Sequence, residues 1–383
     1  MEKIKLGDLC KPSVGQIKED EDTLIDYIDI SSVDNETKKI TGYQTIIFGE
    51  SPSRARKAVK RGDVLVSTVR PNLNSVALLE EDTPNVTVAS TGFCVLESKD
   101  DVDPRFVFNF CKSKPFIDEM VSQATGASYP AVSDKIVRSA LVPKYSYQEQ
   151  QSISAVLDKL TGIIDSRRSE LQELDNLIKA RFVELFGNLN TNPKGWDLKT
   201  FDELTYLITD GEHATPRRSD KGIYLLSARN VLNHALQLED VDYIDEDEYE
   251  RIAKRIVPQA GDVLLSCSGT VGRCCCVPEG LKFQMVRSTA ILRFKEELNP
   301  VFAEYMITSD YVQKQIDKAK TASSQANLFQ GKIAKLKGFV PPIELQDEFL
   351  GFVNQVDKSK VAVQKALDGT QTLFDSLMQE YFG

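Results

Sequence analysis

The feature that most constrains this chain is a long internal repeat. Gly62-Asp63-Val64-Leu65-Val66-Ser67 reappears as Gly261-Asp262-Val263-Leu264-Leu265-Ser266, 199 positions later. Ser90-Thr91 returns as Ser288-Thr289, Lys135-Ile136 as Lys332-Ile333, Val142-Pro143 as Val340-Pro341, Gln148 as Gln346, and Phe186-Gly187 as Phe382-Gly383. The landmarks keep their order and every offset lies between 196 and 199, so a unit of nearly half the 383-residue chain is duplicated. Most residues between the landmarks differ. A shared scaffold with diverged decoration suits two domains that must recognise different things.

Each unit has two parts. The first mixes strand-like runs, Asp63 to Thr68, Val76 to Leu79 and Thr91 to Leu96, with a helical stretch from Pro104 to Gln123, and reads as α+β. The second is a long helix. Ser146-Tyr147-Gln148-Glu149 has the form of a capping box. Beyond it Ile153, Leu157, Leu160, Ile164, Leu171, Leu174 and Ile178 keep alternating steps of four and three, interrupted only by Arg167, and Gly187 is placed to end the helix. Phe349, Phe352, Val356, Val363, Leu367, Thr370, Phe374, Leu377 and Tyr381 give the second copy a similar stripe.

The organisation that follows is a first recognition domain over 1–145, a central helix over 146–187, a linker over 188–195, a second recognition domain over 196–343 and a final helix over 344–383. A helix of that length spans about 60 Å at 1.5 Å per residue, whereas the linker reaches at most about 28 Å. The second domain must then start near the first helix's far end, so the spacing predicts an antiparallel helix pair with pseudo-twofold symmetry and a domain at each end. Two readers on a rigid spacer match a bipartite DNA site.

Composition sets the class. With 41% hydrophobic and 27% charged residues and no low-complexity tract, the chain reads as folded protein. The charged stretch Met1 to Cys10 lacks a signal-peptide core and no run of about 18 apolar residues occurs, so a cytoplasmic location without membrane partners is expected. Seven cysteines, with Cys274, Cys275 and Cys276 adjacent, suit neither a disulfide framework nor zinc spacing and are expected to fill a strand that is partly core. A net charge of −10 opposes nucleic-acid binding overall, so local basic clusters decide the matter.

Arg54, Arg56, Lys57, Lys60 and Arg61 form the densest such cluster, just before the Gly62-Asp63 strand, and suit phosphates as well as they suit a solvated loop. Arg70, Asn72 and Asn74 follow that strand, and their forked donors and amides match guanine and adenine edges. In the second unit Asp210-Gly211-Glu212-His213-Ala214-Thr215-Pro216-Arg217-Arg218 is a turn-rich polar loop, giving His213, Thr215, Arg217 and Arg218 as candidates. Arg229, Asn230, Thr270 and Arg273 extend the set. His213 has only His234 as a second histidine and no carboxylate or cysteine at ligand spacing, so a polar loop residue is favoured over a metal ligand. Gly269-Thr270-Val271-Gly272 lacks the lysine and spacing of an ATP-binding loop.

The Asp210-Gly211-x-His213-x-Thr215-Pro216 loop, the repeated Gly-Asp-Val-Leu strand, and the two Val-Pro segments leading through Gln148 and Gln346 into long helices resemble the specificity subunit of type I restriction-modification systems, over the whole chain. The resemblance implies two target-recognition domains, each reading half of an interrupted double-stranded DNA site. It also implies helices that recruit two methyltransferase subunits and, in the full complex, restriction subunits. S-adenosylmethionine, ATP and Mg belong, on that resemblance, to the partners, with no cofactor, metal or catalytic residue in this chain. The first unit departs from the pattern, with Pro12-Ser13-Val14-Gly15 where the second has its histidine loop. Asn299-Pro300-Val301-Phe302 is not an aminomethyltransferase motif, which leaves the chain a reader, not a methylase. The main alternative is a duplicated coiled-coil scaffold that never touches bases; an enzyme acting alone ranks third, since no cofactor loop or nuclease-like cluster can be named.

Overall fold

The computed structural model describes residues 2–12, 15–18, 20–321 and 326–383. Ser13 and Val14, set above against the histidine loop, lie outside the described residues. Two compact units result, one of residues 1–169 with 363–383, the other of residues 170–362. Each long helix therefore contributes to both.

The units repeat one α+β scaffold. In the first, Val64–Ser67 lies between Val76–Leu78 and Phe93–Leu96, antiparallel to both. In the second, Val263–Ser266 lies between Cys274–Cys276 and Thr289–Phe294 in the same way, with Thr205–Asp210 added at the edge. The parallel pair Leu24–Ile28 and Val86–Ser90 is matched by Ile223–Leu226 and Phe283–Met285. All four residues of Val64–Ser67 and all four of Val263–Ser266 are buried, which explains why the Gly-Asp-Val-Leu hexapeptide is an apolar run and not an alternating one. Cys274 and Cys275 are buried strand residues with free thiols, as expected from their place in the repeat.

The helical stretch after the sheet is two helices, Pro104–Lys112 and Lys114–Gln123. Ser113 ends one and caps the next by accepting from the Phe116 N–H. The long helices run Tyr147–Phe186 and Ile343–Phe382. Glu149 accepts from the Ser146 N–H at 2.7 Å and the Ser146 hydroxyl accepts from the Glu149 N–H at 3.4 Å, so the capping box forms.

In the first unit Ile153 and Leu157, at the start of one long helix, share a core with Met378 and Phe382 at the end of the other. In the second unit Phe182 and Phe186 share a core with Phe349 and Val353, so the pairing is antiparallel there too. The Phe382 ring lies 5.3 Å from that of Phe106, and the Phe186 ring lies 4.6 Å from that of Phe302. Each unit thus borrows its last phenylalanine from the helix belonging to the other repeat.

One landmark needs correcting. Gln346 is fully buried and caps chain ends, accepting from the Asn299 N–H at 2.8 Å and donating to the carbonyls of Glu297 and Pro341. Its structural counterpart is Gln150, which accepts from the Asp103 N–H at 3.0 Å and donates to the Tyr145 carbonyl at 3.0 Å. Gln148 is exposed. Nearby glutamines in one first turn differ only in which face they occupy, and similarity alone picked the wrong one. Gln346→Leu leaves an N–H and two carbonyls without partners, so a loss of about 3 kcal/mol is expected. Gln148→Leu should shift the denaturant midpoint hardly at all, within about 0.5 kcal/mol.

Candidate nucleic-acid interface

Strand direction divides the basic cluster of the first unit. Ala55–Ala58 begins opposite Ser90, and Val64–Ser67 ends opposite Phe93. Arg54 and the segment 68–70 therefore meet at one end of the unit. There the Thr91 N–H donates to the Arg54 carbonyl at 2.8 Å and the Thr68 N–H to Gly92 at 2.8 Å. The loop Thr125–Ala131 joins them, since the Arg70 N–H donates to the Pro130 carbonyl at 2.7 Å and the Val132 N–H to Thr68 at 2.9 Å. Arg54, Arg70, Asn72 and Tyr129 are all exposed at this end. Tyr129 escaped the sequence reading because only the closure of its loop brings it beside Arg70.

Lys60 and Arg61 lie at the opposite end. Lys60 bonds Glu97 at 2.7 Å, Lys11 bonds the same carboxylate at 3.1 Å, and the Arg61 N–H donates to Asp82 at 2.8 Å. The hydrogen bonds from Lys60 outweigh burial and hold the Glu97 carboxyl below its usual range. Asp63, buried beside it, is pushed up to about 6 by desolvation. Arg56, between the two ends, donates to the Ala55 carbonyl at 2.7 Å with its guanidinium 5.2 Å from the Phe48 ring centre.

Three candidates have structural tasks instead. The Lys57 ammonium, only 16% exposed, donates to the Phe93 carbonyl and to Asp134 at 2.7 Å, so it ties strand to helix. The buried Asn74 amide donates to the Cys111 carbonyl at 2.9 Å. Asn230 is 1% exposed; its oxygen accepts from the Ser227 N–H and its nitrogen donates to the carbonyls of Gln237 and Asp240. An amide spent on its own backbone has nothing to offer a base.

In the second unit the equivalent end is built around Asp210. Its carboxylate lies 2.9 Å from both His213 Nε2 and Arg255, and accepts from Gln330 at 2.5 Å. Burial alone would raise its proton affinity, but the bonds from His213 and Arg255 hold the carboxyl below its ordinary value. The Gly211 N–H donates to Thr289 at 3.0 Å and the Glu212 N–H to Met285 at 2.8 Å; a side chain at Gly211 would come within 2.3 Å of the Met285 carbonyl oxygen. The bend after Val263–Ser266 adds exposed Thr270 and half-buried Arg273, whose N–H donates to the Ser266 hydroxyl at 2.9 Å. Arg287 is exposed beside them, its N–H donating to the Glu212 carbonyl at 3.0 Å. It went unnoticed in the sequence, although it directly precedes the Ser288-Thr289 landmark. Thr215 is exposed further along the loop.

The remaining arginines of this unit face carboxylates. Arg217 binds Glu248 through Nε at 3.3 Å, Arg218 binds Asp242 at 3.1 Å, and Arg229 reaches Asp242 at 3.3 Å and Asp240 at 3.5 Å. The pairs of Arg218 and Arg229 are half-exposed and weak enough to exchange for phosphates. Glu248 is buried, bound by Arg251 first and by Arg217, and its carboxyl is held down at about 2. His234 also has a fold role: its Nδ1 is 2.5 Å from the buried Glu304 and its ring stacks on Tyr305 at 4.0 Å. Among the described residues no helix is long and apolar enough to cross a membrane.

Comparison with known proteins places this architecture among relatives. Residues 1–176 match the type I restriction modification DNA specificity domain. The chain is similar to the MjaVIII specificity subunit of Methanocaldococcus jannaschii, 21% identical over 310 residues that cover 73% of this chain and 71% of that protein. It is similar also to the HindI specificity subunit of Haemophilus influenzae, 27% identical over 35% of this chain and 30% of that one, and to the EcoKI specificity subunit of Escherichia coli, 20% identical over 76% and 67%. Its fold resembles the type I system S subunit from M. genitalium, with a TM-score of 0.59 at 13% identity, covering 100% of this chain and 96% of the other. A second chain, from a solved structure of a type I R-M system described for its complex assembly and conformational transition, gives 0.61 at 22% identity, covering 100% and 97%.

Proposed function

Because the chain belongs to the family of type I restriction-modification DNA specificity subunits, we propose that it reads a gapped double-stranded DNA target, one half with each unit. The observation that carries this reading is the corresponding end of the two units. One scaffold presents Arg54, Arg70, Asn72 and Tyr129 in the first and His213, Thr270 and Arg287 in the second. Identical frames with unlike exposed donors are what a target with two unlike halves requires.

In this reading the chain itself performs no chemistry. Two methyltransferase subunits, and restriction subunits in the full complex, act on the DNA it selects. S-adenosylmethionine, ATP and Mg are theirs. The cytoplasm, where such DNA is met, is the compartment this role requires.

Co-expression with a type I methyltransferase subunit from the same genome, followed by single-molecule sequencing of the methylated genome, tests the proposal. One gapped motif with two unlike halves is the expected result. Absence of association and of any motif would leave the scaffold alternative, which also predicts that DNA affinity lacks the steep salt dependence of a protein neutralising several phosphates.

A further inference from the structure

We propose that Arg70, held by Tyr129, reads a guanine in the half-site met by the first unit; this rests on the DNA-reading role above and adds a residue, a base and an edge to it. The backbone is the first observation. Arg70 has φ 50° and ψ 61°, the left-handed conformation that side chains other than those of Asn and Asp rarely adopt. In the second unit the same bend is taken by Gly269, at φ 71°. Gly269 stands three residues beyond Ser266, as Arg70 stands three beyond Ser67. Glycine is the less strained solution, so the bend itself has no need of an arginine. A strained residue kept where its repeat uses glycine is kept for what its side chain does.

The side chain is the second observation. Arg105, Arg217, Arg218, Arg229, Arg251 and Arg255 each lie against a carboxylate. Among the described residues Arg70 has no such partner. Its guanidinium sits 5.1 Å from the centre of the Tyr129 ring instead. A cation over an aromatic face is oriented without being neutralised, and its forked donors stay available.

The loop under it is closed by backbone hydrogen bonds. Thr125 and Ala131 exchange two backbone hydrogen bonds of 2.9 Å, and the Arg70 N–H anchors to Pro130 at 2.7 Å. Within the loop Gly126 takes φ 102°, and a side chain there would come within 2.8 Å of the Tyr129 carbonyl oxygen. Tyr129 is thereby presented with 68% of its surface exposed. A planar, permanently charged fork on a fixed tip fits the O6 and N7 acceptors of guanine in the major groove. In the repeat register Gly269 stands where Arg70 does, so the device acts on one half of the target only.

The test uses the full chain in complex with its methyltransferase, and duplexes carrying the mapped target or single-pair variants of it. Arg70→Gly should leave thermal stability unchanged or higher, yet reduce discrimination at one G·C pair of one half about tenfold to a hundredfold. Arg70→Lys should do the same while keeping the salt slope, because charge is retained and the fork is lost. Tyr129→Ala should give a smaller loss at that same pair. A uniform loss over all duplexes on Arg70→Gly, with the salt slope reduced by about one, would assign Arg70 to a phosphate and overturn the proposal. So would unchanged discrimination. A wild-type complex without preference in either half would instead sink the reader role itself.

Discussion

Phe382→Ala is expected to destabilise the first unit by about 3–5 kcal/mol while leaving the second nearly untouched. Phe382 is 1% exposed, with the rings of Phe106 and Phe110 at 5.3 and 5.8 Å, in a core whose other buried members, Met378 apart, come from the first repeat and the start of its helix. Removing it empties the middle of an aromatic cluster that a helix pinned along its length cannot close. Phe186→Ala should do the same to the second unit, where Phe186 meets Phe302 and Phe349 at 4.6 and 5.7 Å. Hydrogen exchange read by mass spectrometry checks both. Phe382→Ala should strip protection from segments of 1–145 and spare those of 197–340. Equal loss in both units would show that they unfold together and that the cores are not divided as described.

Glu248→Gln should have the next largest effect, about 3 kcal/mol on the second unit at neutral pH, by taking a buried carboxylate from two guanidinium groups. Its pH dependence identifies the cause. Glu248 is held at about 2 in the folded protein against an ordinary 4.5, so the unfolded state takes up the proton first as pH falls. The stability it contributes is fully present above about pH 4.5 and is lost as pH falls through about 2. Thermal unfolding between pH 2 and 7 should show the gap between parent and variant narrowing over that window. A gap that stays constant would mean that packing, not charge, is what Glu248 supplies.

Much of the architecture was legible in the sequence because it depends on periodicity. Stripes from Ile153 to Ile178 and from Phe349 to Tyr381, and a hexapeptide repeated around Asp63 and Asp262, carry the same physical demand wherever they occur. The candidate interface was less legible, for two reasons. Arg54 and Lys60 are six positions apart and read as one cluster, yet a strand places its ends on opposite edges of the unit. Asn74 and Asn230 look like base-reading amides, but an amide in a bend is as able to satisfy its own backbone, and only burial reveals which task it has. The arginines of the second unit meet acids far along the chain, as Arg217 does Glu248 thirty-one residues away and Arg255 does Asp210 forty-five away, which no local pattern records.

The borrowing of Phe382 by the first unit also puts a schedule on how the protein is made. Residues of the first repeat emerge from the ribosome early, while the ring that fills their core is the 382nd residue. At about 5–20 residues per second the interval from residue 145 to residue 382 runs from roughly 12 to roughly 47 seconds. The second unit, whose borrowed Phe186 is already synthesised, has no such delay. The half of the protein translated first is the half that finishes folding last.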